Sequence, residues 1–142
     1  KAVFEKNTAA YLEKLTALDK EYQAAFAGAK NRTFVTQHAA FGYLAKQYGL
    51  TQEPIAGISP DQEPSPSRLA ELKKYIKTNN VSVIYFEASA STKVAKTLAD
   101  ETGVELAVLN PLESLTQKEQ EAGENYVSVM KENLAALQKS IH

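Results

Sequence analysis

VSVIYFEASASTKVAKTLADETGVELAVLN (residues 81–110) decides the fold. Its opening, VSVIYF (81–86), is a nearly unbroken apolar run, the mark of a strand covered on both faces. A helical pattern through Val94, Ala95 and Leu98 follows and stops at Gly103, and VELAVL (104–109) is again strand-like. Strand, helix and strand in that order make a crossover unit whose two strands lie parallel. The strand at 81–86 is therefore expected near the centre of a sheet sandwiched by helices.

Working outward, the same alternation continues. TFVT (33–36) is a short β-branched and aromatic run, followed by a helical pattern through Phe41, Leu44, Ala45 and Tyr48 that ends at Gly49. EPIAGI (53–58) reads as a second strand. The loop SPDQEPSP (59–66) ends where Ser65 can cap a helix and Pro66 can occupy its first turn, and Leu69, Leu72, Tyr75 and Ile76 carry that helix to Asn79-Asn80. On the far side of the unit, NPLES (110–114) is a turn, and Tyr126, Val127, Met130, Leu134, Leu137 and Ile141 mark a last helix. At the front, Phe4, Tyr11, Leu12, Leu15, Leu18, Tyr22, Ala25 and Phe26 share one helical stripe ending near Gly28. Residues 3 to 28 in helix would span roughly 40 Å, more than so small a core can cover, so part of the stripe is expected to face a neighbour outside the chain. The predicted fold is a single three-layer αβα domain with a four-stranded parallel sheet, preceded by a long helix.

Composition agrees. The 142 residues suit one domain; 44% are hydrophobic and 23% charged, which excludes disorder, collagen and a disulfide scaffold. Sixteen basic against seventeen acidic residues leave a net charge of −1, without the basic excess that nucleic acid or an anionic membrane selects. The absence of cysteine excludes thiolate metal sites and thiol catalysis, so a soft metal here must use histidine and carboxylate. No apolar run approaches a membrane span and KAVFEKNTAA (1–10) lacks a signal-peptide core. Because Lys1 is not a start methionine and an amphipathic pattern is already running at Val3 and Phe4, the chain is expected to be a piece of a longer protein.

In parallel α/β sheets ligands sit beyond the carboxyl ends of the strands, which directs attention to QHAA, SPDQEP, EASAST and NPLES. His38, at a strand-to-helix junction, can face that edge, although a lone histidine is more often structural. Glu113, in the turn after the last strand, could reach the same edge as a hard oxygen ligand or serve only as a loop residue. Glu87 ends the central strand, where a buried carboxylate needs a partner; a supporting or structural role is preferred over direct ligation. Ser89, Ser91 and Thr92 open a helix and are expected to cap it, since neither a phosphate-cradling glycine loop nor a G-x-S-x-G elbow is present. The seven tyrosines fall mostly at apolar positions and are expected in the core. His142, the last residue, is not a site candidate.

Together TQHAAFGYLAKQYGL (36–50), ISPDQEPSPSRLAELKKYIKTNNVSVIYFE (58–87) and ENYVSVMKENLAAL (124–137) resemble the C-terminal lobe of the zinc- and manganese-binding receptor lipoproteins of ABC importers. The resemblance implies that residues 1–28 are the backbone helix joining a missing N-terminal lobe and residues 29–142 are the C-terminal lobe. It further implies a metal held between the lobes, with His38 and Glu113 as this lobe's two ligands and the other two outside the chain. Manganese-selective relatives carry a glutamate in place of such a histidine, so the zinc branch is implied, and imidazole suits zinc. The implied function is an extracellular or periplasmic receptor, lipid-anchored when whole, that captures Zn²⁺ and delivers it to an ABC permease; it is not an enzyme. A manganese receptor, a surface adhesion module and a small hydrolase or phosphate binder using Ser89 or Ser91 are the alternatives.

Overall fold

The computed structural model describes residues 1–57, 64–87 and 91–142. Four short strands, β1 (Thr33–Thr36), β2 (Thr51–Pro54), β3 (Val83–Phe86) and β4 (Glu105–Val108), form one parallel sheet in the order β2-β1-β3-β4. The strand read as central is internal, and its Val83, Ile84 and Tyr85 are buried. Successive side chains point to opposite faces and feed two cores. Val35 and Ile84 pack with Leu72 and Ile76 of α3 (Pro66–Thr78) and with Ala95 and Leu98 of α4 (Lys93–Thr102). Phe34, Val83 and Tyr85 pack on the other face with α1 (Ala2–Phe26), α2 (Gly42–Tyr48) and α6 (Tyr126–Leu137), through Tyr22, Phe26, Ala45 and Leu137 among others. This is the three-layer arrangement expected from the sequence.

The chain steps from β1 outward to β2, then returns past β1 to β3 and on to β4. Winding therefore reverses between β1 and β3, which opens a crevice at their carboxyl ends. Helix ends follow the glycine signals: Gly49 and Gly103, at φ +64° and +75°, close α2 and α4 in the left-handed conformation that a side chain disfavours.

Two elements depart from expectation. β2 begins at Thr51, because pairing with β1 starts at Thr33 opposite Thr51, directly after the Gly49 cap. The apolar Ile55 and Ala56 lie just past the strand, yet their N–H groups still donate to Thr36 and Gln37 carbonyls at 2.8 and 2.9 Å. Residues 58–63, the end of EPIAGI and most of the proline loop, lie outside the described residues. Downstream of them, Ser65 does cap α3, accepting from the Arg68 N–H at 3.3 Å, with Pro66 in the first turn. The second departure is a short helix, α5 (Gln117–Glu121), which the sequence reading lacked; Thr116 and Glu119 cap it reciprocally, a T-x-x-E signature.

The long helix α1 has 25 residues, of which Leu18, Tyr22 and Phe26 are buried. Its end is fastened: the Tyr22 hydroxyl donates to the Met130 carbonyl at 2.6 Å, the Tyr48 hydroxyl donates to Asp19 at 2.8 Å, and the two rings stack at 5.0 Å. At its front Val3, Phe4 and Leu12 are 69%, 77% and 56% exposed, so that part of the stripe finds no cover among the described residues. Among those residues no helix is long and apolar enough to cross a membrane.

Candidate metal centre

His38 sits two residues beyond β1 and Glu87 one residue beyond β3, so both flank the crevice where the winding reverses. His38 is only 3% exposed and Glu87 6%. The imidazole Nδ1 faces Oε1 of Glu87 in an ion-pair contact and has no other partner among the described residues. A histidine whose Nδ1 is engaged by a carboxylate has its ring orientation and tautomer set, and offers Nε2 to a cation. This is the partner that a buried carboxylate at the end of the central strand required. Burial pushes the Glu87 carboxyl above the usual carboxylate range; His38 opposes that rise, and the negative charge of Glu113 adds to it. Glu113 is exposed but close enough to Glu87 for like-charge repulsion, so the three residues singled out from sequence gather at one edge. Among the described residues no three histidine, aspartate or glutamate side chains form a metal-binding group by themselves.

The backbone around His38 is tied on several sides. Its carbonyl accepts from the Thr36 hydroxyl at 2.7 Å, from Gln52 Nε2 at 2.9 Å and from the Ala40 N–H at 3.0 Å. The neighbouring Gln37 donates its side-chain amide to the Ser91 carbonyl at 2.5 Å, joining the turn after β1 to the segment after β3.

Glu113 stands on a turn held from beneath. Buried Asn133 of α6 accepts from the Asn110 N–H at 2.9 Å and donates to the Asn110 carbonyl at 2.8 Å. The Asn110 side chain in turn accepts from the Leu112 N–H at 2.8 Å, and Leu112 adopts φ +61°. An Asx turn of this kind allows a left-handed residue without glycine.

Other sequence candidates fall elsewhere. Ser89 lies outside the described residues. Thr92 is the residue at the α4 N-cap, but its side chain makes no capping hydrogen bond; its backbone there is near φ −89°, ψ 2°, not the extended geometry that aims a hydroxyl at the first turn. Tyr22 and Tyr85 are fully buried as expected, and burial raises the Tyr85 hydroxyl to about 12. Tyr43, in contrast, is 93% exposed, because it falls on the outer side of α2, and Tyr11 and Tyr126 are exposed as well, against the expectation of a core position. The His142 carbonyl accepts from the N–H groups of Lys30 and Asn31 at 3.0 Å each. Two residues that the sequence reading passed over, Gln52 and Asn133, support the site. Asn133 carried a signal, being a polar residue set in the apolar stripe Val129, Met130, Leu134, Leu137; Gln52, in TQEP of an edge strand, carried none.

The parallel αβα fold thus sets His38 and Glu87 at its switch crevice, with Glu113 in electrostatic reach after the outer strand β4. Residues 1–140 match the family described as ZnuA, zinc-uptake complex component A, periplasmic, and the chain belongs to that family. It is 59% identical over 140 residues to the zinc-binding lipoprotein AdcA of Streptococcus pneumoniae serotype 4, a match that covers 99% of this chain and 28% of that protein. It is 55% identical over 141 residues to the high-affinity zinc uptake system protein ZnuA of Bacillus subtilis, covering 99% of this chain and 44% of that protein. Among solved structures, the Zn(II)-bound ZnuA-like domain of S. pneumoniae AdcA superimposes with a TM-score of 0.84 at 58% identity, over 99% of this chain and 52% of that one. The chain thus spans between about a quarter and a half of the length of these relatives.

Proposed function

We propose that this chain is the C-terminal lobe of an extracytoplasmic zinc receptor, with residues 1–28 as the helix leading from an N-terminal lobe and residues 29–142 as the lobe itself. Zn²⁺ is its cargo, held between the lobes and passed to an ABC permease. His38 through Nε2 and Glu113 through a carboxylate oxygen supply two of four ligands, and Glu87 orients the imidazole without touching the ion. The observation that carries this reading is the buried His38–Glu87 pair at the switch crevice, with Glu113 in electrostatic reach.

The chemistry follows from the donor set. A borderline-soft ion such as zinc favours imidazole, whereas an all-oxygen set suits manganese. Repulsion between Glu87 and Glu113 is relieved when a divalent cation arrives beside them, so the arrangement is biased toward the loaded state. Two ligands from one lobe leave the ion half-coordinated, which makes tight capture depend on the second lobe. Four protein ligands leave no open position for an activated water, so the protein is a carrier and not an enzyme. Relatives named as a lipoprotein and as a periplasmic component support a place outside the cytoplasm, lipid-anchored or periplasmic.

Metal analysis tests this directly. The full-length receptor purified without added metal is expected to hold about one zinc per chain, and His38→Ala to weaken binding at least about a hundredfold, one ligand's share of the roughly 10–16 kcal/mol of a four-ligand site. Manganese as the native occupant, or zinc affinity unchanged in His38→Ala, would overturn the reading.

A further inference from the structure

Gln52 lies on the outer strand of the sheet, yet its side chain spans the turn that carries His38. Its Nε2 donates to the Thr36 hydroxyl at 2.7 Å and to the His38 carbonyl at 2.9 Å, while its Oε1 accepts from the Phe41 N–H at 3.2 Å. The Thr36 hydroxyl, receiving one of these bonds, spends its own proton on the same His38 carbonyl at 2.7 Å. Every donor in this set has one acceptor, both protons of the amide are used, and the side-chain oxygen takes the Phe41 N–H. Thr36 is itself 1% exposed, so the network is shielded from water on its inner side.

The geometry points to Gln52 as a positioning residue for the histidine ligand, fixing the backbone of residues 38–41 so that the imidazole meets both Glu87 and an incoming cation. The inference rests on the proposed role of His38 as a ligand. The imidazole has two holds of different kinds. Glu87 sets the ring, and Gln52 with Thr36 sets the Cα from which the ring projects. A tetrahedral ion tolerates small errors in ligand placement poorly, and groups that orient ligands are typically worth 10- to 100-fold in metal affinity. Gln52 acts on the backbone and not on the ring, so its share belongs at the lower end. The amide is also specific to glutamine at this site: a glutamate would set a carboxylate oxygen against the His38 carbonyl and draw the Thr36 proton away from it, and an asparagine is too short to bridge Thr36 and Phe41.

The test uses the full-length receptor and its Gln52→Met variant, which keeps side-chain length and removes the three Gln52 bonds while leaving the Thr36 hydroxyl on the His38 carbonyl, with His38→Ala alongside. Zinc affinity is measured by chelator competition, zinc-free stability by denaturation, and ligand geometry from the visible absorption of the Co²⁺-loaded protein. Gln52→Met is expected to lower zinc affinity about tenfold and to alter the Co²⁺ band shape, a change that a loss of stability alone does not produce. Unchanged affinity and an unchanged Co²⁺ spectrum in Gln52→Met, with His38→Ala still defective, would overturn the inference and leave the ligand reading intact. A weaker affinity with an unaltered Co²⁺ band would also overturn it, by reducing Gln52 to a structural residue. If His38→Ala bound zinc normally, the ligand reading itself would fall, and the Gln52 inference with it. Should Gln52→Met not fold, Gln52→Glu, which can still accept from the Phe41 N–H but can no longer donate to the His38 carbonyl, meets the same criteria.

Discussion

The turn after β1 and the turn after β4 carry the two proposed ligands, and they are built in opposite ways. His38 is buried, its ring set against Glu87 and its carbonyl held by three donors. Glu113 is exposed at the sheet's edge, on a turn fastened at its root, where Asn133 grips the backbone of Asn110 and the Asn110 side chain holds Leu112 and Glu119. The first turn is part of the folded core, so its ligand stands in place before any ion arrives. The second presents a charged oxygen to solvent and can close onto an ion without repacking the lobe. Under the proposed receptor role this asymmetry suits both capture and release, because one fixed ligand gives selectivity and one surface ligand gives a way out. The contrast predicts that changes beneath His38 cost stability and binding together, whereas changes at Glu113 separate the two.

The largest expected effect is at Glu87. Glu87→Ala removes the only described partner of His38 Nδ1 inside a buried site, which should destabilise the zinc-free protein by about 2 kcal/mol and weaken zinc binding roughly 10- to 100-fold. Denaturant titration and chelator competition on the same preparation check both. If stability fell while zinc affinity stayed at the unaltered level, Glu87 would support the fold alone and the difference between the two turns would lose its functional meaning.

An effect of middle size is expected at the root of the second turn. Asn133→Ala frees the N–H and carbonyl of Asn110, costing about 1–2 kcal/mol of zinc-free stability, since these groups lie nearer to solvent than those around His38. Zinc affinity should drop only a few-fold, because Glu113 is already exposed and an ion can recruit it from a looser turn. A loss as large as that of Glu87→Ala would mean that Glu113 is as rigidly placed as His38.

Much of this architecture was legible because burial on both faces leaves a plain mark. VSVIYF could only be an internal parallel strand, and Gly49, Gly103, Ser65 and Pro66 punctuate the helices where the chain needs left-handed or capped ends. The outer strand β2 was less legible, since its polar TQEP is chosen by register with β1 and not by hydropathy; α5 rests on a capping box with no buried residue at all. At the site, His38 and Glu113 came from motif resemblance, while Glu87 followed from the physics of a carboxylate at the end of a buried strand. Gln52 stayed hidden because its role exists only once β2 lies beside β1 and its side chain crosses to the turn. Asn133 was visible in principle as a polar interruption of an apolar stripe, but its partner is the backbone of a turn that no periodicity reports.

The smallest effect on the fold is expected at Glu113. Its carboxylate is exposed and contributes no packing, so Glu113→Gln should change zinc-free stability by no more than about 0.5 kcal/mol. The substitution also removes the like charge that pushes the Glu87 carboxyl upward, so the slight change that remains should be toward greater stability near neutral pH. Zinc binding should nevertheless weaken clearly in the full-length receptor, because an amide oxygen is a poorer ligand than a charged carboxylate for a divalent ion. Denaturation and zinc titration of this variant beside Glu87→Ala sharpen the comparison most. If Glu113→Gln altered neither property while Glu87→Ala abolished binding without touching stability, then the carboxylate ligand would be Glu87, and the exposed turn after β4 would have no part in holding the ion.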